Sequence, residues 1–191
     1  MRGLRRYGLL KLAGWARVFG ARGTARSILE TLRAEYPDDR AVLVQVAFYL
    51  AEEKRWREAL ELMSRAAELR PGDVETRFNC AYLKQQLGDH RGAVDAFRQT
   101  LELAPDHDRA LYGLALSLIS LKHLDEAVPV LERNTKLQPM SPYGWYQLGR
   151  VQFDRGRRDK AEAIIAHLNT FEPKVAAQLA RDTGLPAPPP P

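Results

Sequence analysis

The sequence predicts an all-α fold, an α-solenoid of about five helical hairpins that is followed by a short C-terminal capping helix. Three regularities of the 191 residues support this prediction, namely prolines at a fixed spacing, an alanine before each proline, and a large apolar residue between the two. The prolines are 34 residues apart, at Pro37, Pro71, Pro105, Pro139 and Pro173. Such a fixed period is the signature of a stacked repeat.

The second helix of each repeat is predicted from the segment that precedes its proline. Twelve residues before each proline stands an alanine, at Ala25, Ala59, Ala93, Ala127 and Ala161. Four residues later comes a large apolar side chain, at Leu29, Met63, Phe97, Leu131 and Ile165. Because residues four apart lie on one face of a helix, this face is expected to be buried.

The first helix of each repeat is predicted from a second apolar pattern. Apolar or small residues follow Leu9, Leu43, Leu111 and Trp145 at three and four positions further along the chain. A polar or glycine-containing break separates the two helices, at residues 19–20, 54–55, 88–89, 122–123 and 156–157. Residues suited to cap the following helix stand after the prolines, at Asp39, Asp73, Asp106 or Asp108, and Ser141.

Taken together, the residues from Trp145 to Pro173, including Leu148, Gly149, Gly156 and Ala161, resemble the tetratricopeptide repeat, or TPR. The resemblance implies a right-handed α-solenoid of TPR hairpins over residues 1–183, with repeats at 6–39, 40–73, 74–107, 108–141 and 142–175. The first repeat departs most, because Gly8 and Gly14 each lower helix propensity. Residues 176–183 are expected to form the capping helix, and residues 184–191 a disordered proline-rich tail.

The resemblance also implies a binding surface, a concave groove lined chiefly by the first helix of each repeat. Reading the groove positions from this sequence gives twelve candidate contacts for a protein or peptide client: Val44, Phe48, Phe78, Asn79, Tyr82, Arg109, Tyr112, Leu116, Tyr143, Tyr146, Gln147 and Arg150. Aromatic rings beside a few Arg, Asn and Gln side chains are typical of protein-binding surfaces. Phenylalanines at these positions are about as often packed inside the array as they are open.

The first 29 residues carry seven basic side chains and no acidic one. Leu9, Leu12, Trp15 and Phe19 are interleaved with these cations, and they fall on positions of the repeat core. We therefore expect a solvated basic helix that completes the first repeat. A peripheral contact with a membrane or with an acidic protein is the alternative. A nucleic-acid partner is not expected, because the charge is terminal and does not follow the groove.

Catalysis, metal binding and cofactors are not expected. The four histidines and the single Cys80 lack metal-ligand spacing, and the carboxylates follow the pattern of helix surfaces. No apolar run is long enough to span a bilayer. The sequence thus predicts a cytoplasmic, bacterial, non-enzymatic scaffold or assembly factor whose oligomeric state is open. The alternative is a dedicated chaperone similar to the TPR chaperones of bacterial secretion systems, which shields an apolar client segment.

Overall fold

The computed structural model describes residues 2–186, and over this range the regular structure is entirely helical. The helices are α1 (Arg2–Val18), α2 (Arg22–Glu35), α3 (Arg40–Glu52), α4 (Trp56–Leu69), α5 (Val74–Gln86), α6 (His90–Leu103), α7 (Asp108–Ser120), α8 (Leu124–Leu137), α9 (Pro142–Asp154), α10 (Arg158–Asn169) and α11 (Pro173–Thr183). The all-α prediction is confirmed. From α2 to α10, even-numbered helices begin 34 residues apart, as do α3, α5, α7 and α9, so the backbone repeats with the period of the prolines.

The five predicted breaks share one backbone conformation. Gly20, Lys54, Gly88, Lys122 and Gly156 all have a φ angle between 58° and 78°, in the left-handed region. This conformation reverses the chain between two helices and leaves the last carbonyls of the first helix bonded within the turn. Glycine adopts it without a Cβ clash, whereas the two lysines adopt it at a cost in free energy.

Helix starts follow the sequence prediction in two of four places. The Asp39 carboxylate accepts hydrogen bonds from the amides of Ala41 and Val42, and Asp73 accepts one from the amide of Thr76. The prediction of Asp106 or Asp108 as a cap is wrong, because Nδ1 of His107 accepts a hydrogen bond from the Ala110 amide at 3.2 Å. Ser141 occupies the predicted position at the start of α9 but makes no side-chain capping bond.

The chain divides into two compact units, residues 1–89 and residues 90–191. In unit 1, α1 packs on α2, α2 on α3, α3 on α4, and α4 on α5. Its core is centred on the alanine and large apolar positions of the repeats. Core residues with almost no exposure include Ala25, Leu29, Leu43, Ala59 and Met63.

The exposed side of α1 contradicts one expectation from the sequence. Leu9 is half-buried against the core of unit 1, but Leu12, Trp15 and Phe19 are exposed, the two aromatic side chains by 59% and 74%. The side of α1 that faces the core is occupied by the small residues Ala13 and Ala16. Close packing on α2 therefore uses small side chains, and the large apolar ones are left outside.

Unit 2 is built from close contacts at glycines. A Cβ on Gly113 in α7 would lie 2.4 Å from the ring of Phe97 in α6, and one on Gly149 in α9 would lie 2.5 Å from Leu179 in α11. Phe97 and Leu179 are both fully buried. The glycines thus allow α6 and α11 to pack tightly against the first helices of this unit.

Helix α11 packs on both α9 and α10. Ala176 and Leu179 are buried in the core of unit 2, and Val175 is half-buried beside it. Gly184, with a φ angle of 65°, ends this helix. Residues 187–191 of the predicted tail lie outside the described residues. No helix within residues 2–186 is both long and apolar enough to cross a membrane.

Candidate protein-binding site

The first helices of unit 2 place three tyrosines on one surface. Tyr112 lies on α7, and Tyr143 and Tyr146 lie on α9, one turn apart. Together with α11 they form a cavity of about 470 Å³, here called the tyrosine cleft, which is lined by Tyr112, Pro142, Tyr143, Tyr146, Gln147, Glu172 and Val175. Four of the twelve predicted groove residues therefore line one cavity.

Hydrogen bonds hold two of the three rings in place. The side chains of Tyr112 and Gln147 are hydrogen-bonded to each other, which links α7 to α9. The Tyr146 hydroxyl donates to the Asp182 carboxylate and so links α9 to α11. Since both rings are fixed by partners on neighbouring helices, a ligand that packs against them orders few additional side-chain bonds.

These contacts change the acidity of the two hydroxyls. The pKa of Tyr146 is raised, mainly because Asp182 accepts the hydrogen bond of the neutral phenol. The pKa of Tyr112 is raised by burial, and the hydrogen bond with Gln147 opposes this effect. Both groups are therefore protonated at neutral pH and able to donate hydrogen bonds.

The surface of the cleft is amphipathic. The Tyr143 side chain is 70% exposed and is held by few contacts, so its ring is open to a ligand. Glu172 adds a carboxylate at one side of the cleft. Arg150 hydrogen-bonds the Tyr146 hydroxyl and is exposed. Apolar rings, hydrogen-bond donors and charges of both signs together suit a polypeptide segment.

The other predicted groove residues have varied environments. In unit 2, Arg109 is exposed and Leu116 is half-buried. In unit 1, Tyr82 is 40% exposed and Asn79 is half-buried.

The three unit 1 residues Val44, Phe48 and Phe78 offer little open surface. Val44 and Phe48 are half-buried and pack against the core of unit 1. Phe78 is only 9% exposed, so its placement in the groove is corrected, and its ring serves packing.

Sequence reasoning missed the contribution of α11 to the cleft. Glu172 and Val175 line the cavity, and Asp182 fixes Tyr146, yet this segment was expected only to cap the array. A signal was present in the sequence, because positions 172, 175, 179 and 182 fall on one face of a helix. That face carries the buried Leu179 between its polar ends.

A second concavity lies in unit 1, between α1 and α3. This cavity of about 580 Å³ is lined by Leu10, Lys11, Gly14, Trp15, Arg17, Val18, Gln45 and Glu52. Arg17 hydrogen-bonds both Glu52 and Gln45, so these polar side chains bond one another. Within residues 2–186, no group of three or more His, Cys, Asp or Glu side chains is arranged to hold a metal ion.

Known families and proteins support the repeat assignment. Residues 52–134 match the family described as anaphase-promoting complex, cyclosome, subunit 3, and residues 142–167 match the tetratricopeptide repeat family. The tetratricopeptide repeat-containing protein trd-1 of Caenorhabditis elegans is 25% identical over 133 residues, or 69% of this chain. The matched region spans only 17% of that relative's length.

Solved structures share the fold at low sequence identity. A crystal structure of MamA has a TM-score of 0.79 at 16% identity, covering 95% of both chains. MamA of Desulfovibrio magneticus RS-1 has a TM-score of 0.79 at 17% identity, covering 93% of this chain and 96% of that one. YrrB, described as a TPR protein with an unusual peptide-binding site, has a TM-score of 0.77 at 14% identity, covering 91% and 90%. With its 34-residue helical period and these matches, the chain is a tetratricopeptide repeat protein.

Proposed function

We propose that the chain is a non-enzymatic interaction module that binds an extended or helical segment of a client protein in the tyrosine cleft. The observation that carries the proposal is the convergence of Tyr112, Tyr143 and Tyr146 on one cavity, beside the hydrogen-bonding side chain of Gln147. Tyrosine is enriched among residues that dominate binding energy at protein interfaces. The peptide-binding site described for YrrB is a precedent within the same fold.

A scaffold or assembly role fits the cleft better than the shielding of an apolar segment. Its lining combines tyrosine rings with the Gln147 amide and the Glu172 carboxylate, so a bound segment meets polar groups along with apolar ones. Backbone amides and carbonyls of an extended segment would be matched by these groups. Asn79, Tyr82, Arg109, Leu116 and Arg150 are proposed as additional contacts.

We also propose a cytoplasmic location. Cys80 is the single cysteine of the chain, and in the structure its thiol is free and half-buried. Such a lone buried thiol is compatible with a reducing compartment.

Selection of peptides from a random phage-displayed library on the full chain tests the proposal. A selected peptide is expected to lose at least about tenfold in affinity when Tyr112→Ala and Tyr146→Ala are combined. Leu69→Ala, at an exposed apolar position of unit 1, is the matched control and should leave the affinity unchanged. Equal affinity of the tyrosine variant and the wild type, at equal helix content, would overturn the assignment of the cleft.

A further inference from the structure

The outer face of α1 is apolar although no part of the described chain covers it. Six side chains at or just after this helix are each more than half exposed: Leu4, Tyr7, Leu12, Trp15, Val18 and Phe19. They are here called the α1 outer face. Trp15 and Phe19 stack on each other, with ring centroids 5.7 Å apart, and form the aromatic end of this face. Isolated exposed apolar residues are ordinary, but a contiguous set of this size marks an interaction surface.

Charges around this face are of one sign once the ion pairs are taken into account. Arg5 pairs with Glu35 at 2.8 Å, and Arg6 pairs with Asp39. Arg17 likewise pairs with Glu52 on α3. The nearest carboxylates are thus neutralised by the basic residues that hold α1 against unit 1.

The remaining charges beside the outer face are cationic. Lys11 lies in the middle of the face, with its ammonium group 5.6 Å from the centre of the Tyr7 ring. Arg22 is exposed at the start of α2, and within residues 2–186 neither side chain has a carboxylate at ion-pair distance. The surface is therefore complementary to an anionic partner.

The width of the apolar face separates a bilayer from a single partner helix. Successive helical residues are rotated by about 100°, so Leu4, Tyr7, Leu12, Trp15 and Val18 cover an arc of roughly 140°. One docked helix needs only a narrow seam, whereas a helix lying in a membrane interface presents a broad apolar side. Amphipathic rings such as Tyr7 and Trp15 favour the interfacial region of bilayers.

A second copy of the chain is a poorer occupant. The positions of Leu4, Tyr7, Lys11, Trp15 and Val18 are symmetric about residue 11. An antiparallel pair of α1 helices would therefore bring two Lys11 ammonium groups together at its centre. At a bilayer the same lysine extends along its aliphatic stem to reach the headgroups.

We propose that the α1 outer face docks unit 1 on the surface of an anionic membrane. Helix α1 lies in the plane of the headgroups, with Trp15, Val18 and Phe19 inserted and Lys11 and Arg22 contacting lipid phosphates. Arg5, Arg6 and Arg17 remain bonded to their carboxylates and keep α1 attached to unit 1. This inference is independent of the tyrosine cleft, which belongs to unit 2.

Flotation of the full chain with phosphatidylcholine vesicles, with and without phosphatidylglycerol, tests the inference. The wild type is expected to float with the anionic vesicles and to be released by high salt. Combining Trp15→Ser with Phe19→Ser should lower the partition coefficient more than about tenfold, because the inserted area is lost. Lys11→Glu should lower binding to anionic vesicles by at least about tenfold.

A matched control separates loss of this face from loss of apolar surface in general. Leu69→Ser with Leu103→Ser removes two exposed leucines from other helices and should float like the wild type. Circular dichroism should show unchanged helix content in every variant, because all substituted side chains are exposed. Absence of wild-type flotation with anionic vesicles would overturn the inference, as would unchanged flotation of the Trp15 and Phe19 variant. A dimer in light scattering that this variant dissociates, without vesicle binding, would assign the face to a second copy instead.

Discussion

Replacing Gly113 by alanine should destabilise unit 2, although alanine is the better helix former. The new Cβ would lie 2.4, 2.8 and 2.9 Å from three atoms of the Phe97 ring. Carbon atoms in contact are normally separated by about 3.5 Å or more, so the ring or α7 must move by about 1 Å. Phe97 is fully buried, and a rigid ring in a filled core has little room to retreat.

The expected change follows from two opposing effects. Overpacking of a core costs about 1–3 kcal/mol, and the gain in helix propensity offsets about 1 kcal/mol of that. The free energy of unfolding should therefore fall by about 1–2 kcal/mol. Gly14→Ala in α1 is the matched control, because a Cβ added there would meet open space. That substitution should raise the free energy of unfolding by about 0.5–1 kcal/mol.

Urea denaturation followed by far-ultraviolet circular dichroism measures both changes. A second substitution, Phe97→Leu, makes the cause specific, because a smaller side chain relieves the clash. It should destabilise the Gly113→Ala variant less than it destabilises the wild type, with a coupling of about 1 kcal/mol or more. If Gly113→Ala is as stable as Gly14→Ala, the close approach of α6 and α7 is wrong.

Three further predictions concern the turns, a cap and the thiol. Lys122→Gly should raise the free energy of unfolding by about 0.5–1 kcal/mol in urea titrations, because Lys122 has a φ angle of 63°; a decrease would contradict the turn conformation. Burial alone would raise the pKa of Asp73, but hydrogen bonds from Thr76 and the charge of Arg40 hold it below its ordinary value. The stabilisation is therefore present above the unfolded-state pKa and is lost as the pH falls through the lower folded value. The stability difference between wild type and Asp73→Ala, about 1 kcal/mol near neutral pH, should shrink in acid below about pH 4; a constant difference would contradict this. Burial raises the pKa of the Cys80 thiol, against a hydrogen bond with Ser64, so iodoacetamide should alkylate it more slowly at pH 8 than it alkylates free cysteine; an equal rate would show that the thiol is open.

The helical pairing could be predicted from sequence because its determinants are local. Each alanine, such as Ala93, precedes its large apolar partner by one helical turn, and this spacing fixes both the helix and its buried face. The tyrosines of the cleft were also found from sequence, because Tyr112 and Tyr146 occupy equivalent positions in consecutive repeats. A period that places backbones also places the side chains that the backbone carries.

Other features depended on contacts that the period does not encode. In α1 apolar residues occur around much of the helix, and only packing against α2 decides that Ala13 faces inward and Trp15 outward. Phe78 shares its position in the repeat with Tyr112, yet it is buried. The hydrogen bond between Tyr146 and Asp182 joins residues 36 positions apart, across a helix that follows the last repeat.

The most direct test of the central claim is the affinity of a client segment captured at the tyrosine cleft in the native cell. A photo-crosslinking amino acid in place of Tyr143 identifies the segment, and the same probe at Leu69 controls for exposure. The captured segment is then synthesised, and its Kd is measured by fluorescence anisotropy. The account predicts a Kd at least about tenfold higher for the combined Tyr112→Ala and Tyr146→Ala variant than for the wild type. An unchanged Kd would contradict the assignment of the cleft as the binding site.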